Sequence, residues 1–444
     1  MSAADHLSST GPAGMPPAHA PKGYLHSPLK AGWRRLLQRR SARWSLHVLA
    51  TLGTVALFAD FIANDKPLYC RLDGTHYFPV LRQYAVDLGW KHWEPRFMQQ
   101  DWQDHAYETV IFPPIPFAAK TIDPNTKANL GPFHKQQSAN WRRRHWLGTD
   151  PLGHDVAAGM VAGTRVALSV GIIAMAVATA IGLLLGAVAG YFSGSSIPVN
   201  GIRLCLNLLA AFLAWFYGWE IEKYDWAWAA RDGDLSSVLP AMLTRIATCF
   251  LAANILAARL KKIPLRPLQW TVRIPPDPWI LRTIEIFDAI PGLLFLLALL
   301  AVVPTSSIWY VMGVIGLLRW TDIARFMRAA MLEVSPLPYI DAARVMGFSP
   351  RRILFRHALP NALSPVLITI SFGIASAILL EAALSFLGFG IAADQVTWGQ
   401  MLAQARQHPQ AWWLAVLPGL AIFLTVSAFN LLGEALSDSF SAGK

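Results

Sequence analysis

The chain has 444 residues, of which 54% are hydrophobic and only 15% charged, with 18 tryptophans and a formal net charge of +11. A soluble domain carries roughly 25% charged residues, so the balance excludes an ordinary soluble globular protein and indicates a polytopic membrane protein with some extramembrane mass. The positive charge suits cytoplasmic loops beside anionic lipid headgroups better than nucleic acid. Cys70, Cys205 and Cys249 have neither metal-like spacing nor the density of a disulfide framework.

Residues 1–30 are rich in Pro, Ala, Ser and His without periodicity and read as a disordered tail. Lys30, Arg34, Arg35, Arg39, Arg40 and Arg43 then crowd the front of a first apolar span at 44–63. Such a cluster holds the N-terminal segment 1–43 in the cytoplasm, and no A-x-A-like cleavage site follows. Residues 64–164 contain no span and form one larger extracytoplasmic loop region. Its aromatics Trp90, Trp93, Trp102 and Tyr107 suit either a protein interface or anchoring at the bilayer surface.

The main membrane-spanning part runs over 165–434. Its first span, 165–190, repeats Gly182, Gly186 and Gly190, a stripe that lets a second helix approach closely. Two further apolar stretches, 201–219 and 239–259, lie within a segment at about 195–280. The acidic run between them, 220–238, reads as outside, and the basic run after them, 260–280, as inside. Spans at 281–303, 307–325, 363–389 and 412–433 complete about eight crossings of roughly 20 residues each. Parity then puts both termini, including 435–444, and the basic loop 326–362 on the cytoplasmic side.

Within that loop, Ser335-Pro336 and Ser349-Pro350 are helix-start signals, because proline's missing N–H falls where no intrahelical partner exists. Gly347 marks a helix stop. Two short helices are expected to project from the membrane over 338–361, carrying Arg344, Arg351, Arg352 and Arg356. Asp341, Ala342 and Ala343 give one charge to set register beside two small side chains that allow close approach to a groove.

Asp341-Ala342-Ala343, three residues, Gly347, nine residues, His357, one residue, then Leu359-Pro360 resembles the EAA loop of ABC importer permeases. Asp341 stands for the usual Glu and His357 for the usual Ile. Further stretches are similar to the second permease of the dipeptide/oligopeptide/nickel family: LGTDPLGHDVAAGMVAGTRVALSVG (147–171), SAILLEAALSFLGFGI (376–391) with WGQML (398–402), and LPGLAIFLTVSAFNLLGEALSD (417–438). FADFIANDKP (58–67), with YFPV nearby, most resembles the microcin C/oligopeptide-type importer permease. The likeness omits the tail and about 195–280, whose two spans are additional to a six-helix importer core. The resemblance implies an all-α bundle in the bacterial inner membrane, with Asp341, Ala342, Ala343, Gly347, Leu359 and Pro360 as its ATPase-coupling loop. It also implies a second homologous permease, two cytoplasmic ATPase subunits that use the ATP, an extracytoplasmic solute-binding protein, and no cofactor on this chain.

Other constellations read less sharply. Gly148, Asp150, Gly153, His154 and Asp155 are metal-like in type, but glycines at this density suit a tight turn leading into a helix. Glu381 lies deep in an apolar span, where an ionisable group marks either a translocation pathway or helix packing among Ala382, Ala383 and Ser385. Arg319, Asp322 and Arg325 suggest an internal ion pair at a membrane boundary. No phosphate-binding loop, GxSxG elbow or HExxH appears. The expectation is a non-catalytic permease subunit of an ATP-driven importer for peptides or peptide-like solutes. The alternatives are a secondary transporter, which calls for related halves with broken helices, and a membrane-embedded enzyme, which calls for convergent polar residues.

Overall fold

The structure is a computed structural model. It describes residues 28–441 apart from 96, 98–101, 104, 123–128, 137–142, 222, 226–237, 261–269, 303–306 and 390–394. Helices dominate. The chain opens with α1 (Pro28–Gln38), α2 (Arg40–Leu57) and the single turn α3 (Ala59–Ile62), then builds a small outer layer before α5 (Val156–Tyr191). Five helices among the described residues are long and apolar enough to cross a bilayer: α5, Gly201–Gly218, Pro240–Leu260, α12 (Pro350–Leu387) and Trp413–Phe440. A sixth arises if Pro276–Ala289 and Gly292–Ala301, bent by 80°, count as one span.

The expected eight crossings are therefore met by five or six on length and apolarity. At 44–63 the chain forms α2 and α3 separated at Phe58, and α2 starts with two arginines, Arg40 and Arg43. At 307–325 it forms α10 (Ile308–Val334), which continues past the expected end and carries Arg319, Asp322 and Arg325 in its middle. The span expected at 281–303 is broken by Pro291 into α8 (Pro276–Ala289) and α9 (Gly292–Val302), as proline's lost N–H and ring clash dictate.

Helix α5 is the centre of the bundle. Its start is fixed by Asp155, whose carboxylate accepts from the Ala158 N–H at 2.7 Å. The glycine stripe faces α10 as expected. A β-carbon at Gly182, Gly186 or Gly190 meets the Trp320 carbonyl, the Ala324 carbonyl or Met331 Cβ at 2.5, 2.4 and 2.5 Å. Partner numbers rise together, so the two helices run parallel. Helix α12 runs the other way, since Gly171 meets Ile374 and Ile378 whereas Met175, a turn further along α5, meets Gly373. Helix α14 (Trp413–Ser441) packs on α12, with the Ser371 hydroxyl donating to the Phe429 carbonyl at 3.1 Å. Leu36 of α1 is fully buried beside Ala435 and Leu436, and Arg39 pairs with Asp438. Both ends of the described chain thus meet at one end of the bundle.

Two sheets depart from the all-α expectation. In the outer layer, β1 (Tyr69–Leu72) lies between β2 (Thr75–Tyr77) and β3 (Thr109–Ile111), all antiparallel, followed after β2 by α4 (Pro79–Asp87). Asp73 and Gly74 link β1 to β2 with φ of 52° and 75°, the left-handed pair that a two-residue hairpin requires. The aromatics predicted to face outward form this layer's interior instead. Trp102 is buried and stacks on Phe97 at 4.9 Å, Trp93 packs edge-on against both, and the Tyr107 hydroxyl donates to the Trp102 carbonyl at 2.6 Å. Of the four, Trp90 alone is largely exposed, at 78%.

The second sheet closes the inserted segment. Strand β4 (Ile197–Asn200) pairs antiparallel with β5 (Thr271–Ile274), a ribbon at the base of α6 (Gly201–Trp215) and α7 (Val238–Leu260). Asn200 caps α6 through its side-chain oxygen. The two helices share a polar joint, Arg203 Nε donating to Asn254 Oδ1 at 2.9 Å and Asn254 Nδ2 to Asn207 Oδ1 at 3.0 Å. Most of the predicted outer loop 220–238, and 261–269 of the predicted inner one, lie outside the described residues.

Candidate functional site

The segment predicted to couple begins where α10 ends. Ser335 does not cap a new helix. It closes α10, in right-handed helical conformation, with its N–H on the Met331 carbonyl at 2.8 Å. The new start is Leu337, extended, with Pro338 first in α11 (Pro338–Val345). Ile340 and Ala343 turn inward and are buried, whereas Asp341, Ala342 and Arg344 face out. Asp341 and Arg344 pair across one turn at 2.8 Å.

Gly347 ends α11 with φ of 75°. The Gly347 N–H reaches the Arg344 carbonyl at 3.0 Å and the Phe348 N–H the Ala343 carbonyl at 3.2 Å. That pair of bonds is a Schellman closure, which needs a left-handed residue at this position. Ser349 then caps α12, its hydroxyl accepting from the Arg352 N–H, with Pro350 first in the helix.

The predicted second short helix is not separate. Pro350–Arg352, a π-helical stretch at Ile353–Ala358 and Leu359–Leu387 form one continuous rod, α12. Pro360 cannot donate back along the helix, and its ring clashes with the carbonyl a turn earlier. The wider π turn immediately before it absorbs that conflict without breaking the helix. Leu359 and Pro360 thus sit inside a helix that continues into the bundle.

Four contacts tie the tip to that rod and to α5. The Asn361 amide donates to the Tyr339 hydroxyl at 3.1 Å. Phe348 stacks on His357 and carries the Arg352 guanidinium 4.2 Å above its ring. Arg344 lies 5.8 Å over Tyr191, the last residue of α5. Beyond these ties the tip is bare, with Val345 at 88% and Met346 at 64% exposure.

The ionic residues predicted at the end of the 307–325 span lie mid-helix in α10 and divide between two partners. Arg319 pairs with Asp322 at 3.2 Å and also meets Ser376 of α12, while Arg325 pairs with Asp288 of α8. Sequence reading missed Arg328, which holds Asp277 of α8 through two nitrogens. The arginines Arg325 and Arg328, matched by Asp288 and Asp277 on α8, were the available signal.

Glu381 is 1% exposed. It accepts from the Ser385 hydroxyl at 2.7 Å and has Thr397 as a further hydrogen-bond partner. Thr397 in turn caps α13 (Trp398–Gln407) in a capping box with Gln400. Gly399 brings that helix against the Ala382 carbonyl.

The 147–155 stretch is a turn that seats α5 on its neighbours. His145 and Asp155 are both buried and joined at 2.7 Å. Asp150 accepts from the Leu152 and His154 N–H groups, from His154 Nδ1 at 2.8 Å and from Gln404 of α13 at 3.2 Å. Burial pushes the Asp150 carboxyl up, but the bonds from His154 and the Leu152 N–H outweigh it and hold it below the usual carboxylate range. Among the described residues no group of three or more His, Cys, Asp or Glu is arranged to hold a metal.

Residues 273–443, from β5 through α14, match the family described as binding-protein-dependent transport system inner membrane component. Over 94% of its length the chain is 28% identical to the Inner membrane ABC transporter permease protein YejE of Escherichia coli K12, covering 97% of that protein. It is 25% identical to the Peptidoglycan transport system permease protein YejE of Agrobacterium fabrum, with 99% of each chain covered. The Glutathione transport system permease protein GsiD of Pectobacterium atrosepticum is 28% identical over 81% of this chain and 93% of its own. The chain is a permease subunit of an ABC importer. This permease is a multi-pass membrane protein and hydrolyses no ATP itself, that being the work of partner subunits. The family match begins just beyond the inserted helices α6 and α7, so it leaves that pair and α5 outside.

Proposed function

We propose that the permease forms one half of a translocation pathway for peptides or peptide-like solutes in the bacterial inner membrane, with the tip of α11 seated on a cytoplasmic ATPase subunit. In this reading a second permease completes the pathway, two ATPases bind and hydrolyse the ATP, and a solute-binding protein delivers cargo to the outer layer. Both termini and the 326–362 segment then face the cytoplasm. The named transport roles of the peptidoglycan and glutathione relatives support the class of solute.

One observation carries the reading. A short helix with a bare apolar tip is bonded to the first turns of a helix that runs unbroken to Leu387. Exposed Val345 and Met346 leave apolar surface for a partner groove, and Asp341 and Ala342 flank it on the open side. Displacing α11 moves α12 through Tyr339–Asn361 and Phe348–His357, and presses on α5 through Arg344. Glu381, sealed between α12 and α13, serves as a packing residue in this scheme rather than a solute contact.

The test is co-purification. Val345→Asp with Met346→Asp removes the apolar tip without touching the buried Ile340 or Ala343. The ATPase subunits are expected to be lost while membrane insertion stays normal. Unchanged recovery of the ATPases with this variant contradicts the assignment.

A further inference from the structure

A polar cleft of about 660 Å³ opens between the outer layer and the outer end of α5. Its floor is a saturated ion pair. Arg165 of α5 donates to both carboxylate oxygens of Asp60, at 3.1 and 2.8 Å, and through Nε to the Ala56 carbonyl at 2.9 Å. The Tyr84 hydroxyl donates to the same carboxylate. These groups satisfy one another and leave little for a ligand.

The wall on α4 is built differently. Lys66 Nζ donates to Gln83 Oε1 at 2.8 Å, and Gln83 Nε2 donates to Asp87 Oδ1 at 2.6 Å. All three residues line the cleft. A neutral amide therefore stands between an ammonium and a carboxylate, holding them apart where a direct contact would cancel both. Neither Lys66 nor Asp87 makes a direct ion pair among the described residues, while Lys66 lies 5.8 Å over the Trp93 ring and interacts with the Asp60 carboxylate only through space. A solute carrying a carboxylate and an ammonium supplies both missing partners. The cleft is within the roughly 300–1,000 Å³ common for small-molecule sites.

We propose that this cleft binds the charged main chain of a zwitterionic, peptide-like solute, with Lys66 on its carboxylate, Asp87 on its ammonium and Gln83 as the fixed spacer. The solute class rests on the reading under Proposed function; the site rests on the Lys66–Gln83–Asp87 geometry. Each end is a charge-assisted hydrogen bond, so losing either is read as roughly a tenfold or greater loss of affinity.

The experiment is equilibrium dialysis of labelled trialanine against the full chain in lipid nanodiscs, beside uptake of trialanine by cells making the whole transporter. Saturable binding is expected. It should weaken about tenfold or more in Lys66→Gln and in Asp87→Asn, and for the N-acetyl amide of trialanine, which lacks both charges. Lys66→Arg should retain it, as should Lys91→Gln, which removes a lysine of the same layer that does not line the cleft. No saturable binding by the wild type, or equal binding by both charge-removing variants, overturns the site. The import reading fails separately: trialanine bound at the cleft with no ATP-driven uptake of it contradicts that reading and leaves the site standing.

Discussion

Arg328 grips Asp277 with two guanidinium nitrogens, Nε at 2.6 Å and Nη2 at 2.9 Å, and the Ser193 hydroxyl donates to the same carboxylate at 2.8 Å. Three elements meet in this one cluster: α10, the start of α8, and the turn after α5. It lies at the end of the bundle that carries α11, next to Gly190 and Met331. Removing one member of a largely buried pair leaves the other charged and unpaired, at a cost on the order of 3 kcal/mol. Arg328→Met or Asp277→Asn is therefore expected to lower the thermal unfolding midpoint of the purified chain, with Arg328→Met/Asp277→Leu recovering much of the loss. A double variant no better than the singles contradicts this account.

The glycine stripe of α5 gives a second prediction. A β-carbon at Gly186 lands 2.4 Å from the Ala324 carbonyl oxygen and 2.8 Å from Met327 Cβ, neither of which can turn away without moving the α10 backbone. Gly186→Val should cost about 1–3 kcal/mol or more by overpacking. Gly313, whose β-carbon meets nothing within 4 Å, should accept alanine with little effect. Comparing melting curves of the two variants decides whether close approach of α5 and α10 matters.

Asp150 makes the outer turn sensitive to acid. Its carboxyl is held below the unfolded value, so its contribution to stability is present above the unfolded pKa, near 4, and is lost as pH falls through the lower folded value. Asp150→Asn should destabilise the chain at neutral pH by about 2 kcal/mol and remove part of the acid dependence. Unfolding followed from pH 7 down to 3 checks this. Parallel curves for wild type and variant rule the contribution out.

The inserted pair α6 and α7 offers a topology test. Tyr224 is 71% exposed beyond the π turn Phe216–Glu220. In a background without Cys70, Cys205 and Cys249, Tyr224→Cys is expected to react with a membrane-impermeant thiol reagent added to spheroplasts. Reaction only after permeabilisation reverses the orientation of the pair.

Much of the 338–361 segment was legible because its signals are local. Gly347 closes α11 and Ser349-Pro350 opens α12 where residue type alone indicates, since a left-handed stop and a hydroxyl cap are chemical requirements at single positions. Ser335-Pro336 misled for the same reason in reverse. The serine lies where α10 still holds its backbone, and Leu337 takes the cap position with no side-chain bond at all. Leu359-Pro360 lies inside α12, and the π stretch that absorbs the proline leaves no residue-type signature. The ribbon β4–β5 pairs Asn200 with Thr271 across the whole insertion, a partnership invisible to periodicity in either stretch. The outer-layer hairpin had a readable cue in Asp73-Gly74, overlooked beside so many aromatics. Those aromatics are ambiguous in sequence because a surface platform and a small core use the same rings.

The claim that the α11 tip sits on an ATPase is tested most directly by crosslinking. Single cysteines at Val345 and Met346, and one at Trp90 on the outer layer, are introduced into the assembled transporter lacking the three native cysteines. A short thiol-to-amine crosslinker is then added and products are identified by mass spectrometry. The account predicts that Val345→Cys and Met346→Cys join an ATPase subunit and that Trp90→Cys does not. ATPase crosslinks from Trp90→Cys, or none from the two tip positions in a transporter that still hydrolyses ATP, contradict it.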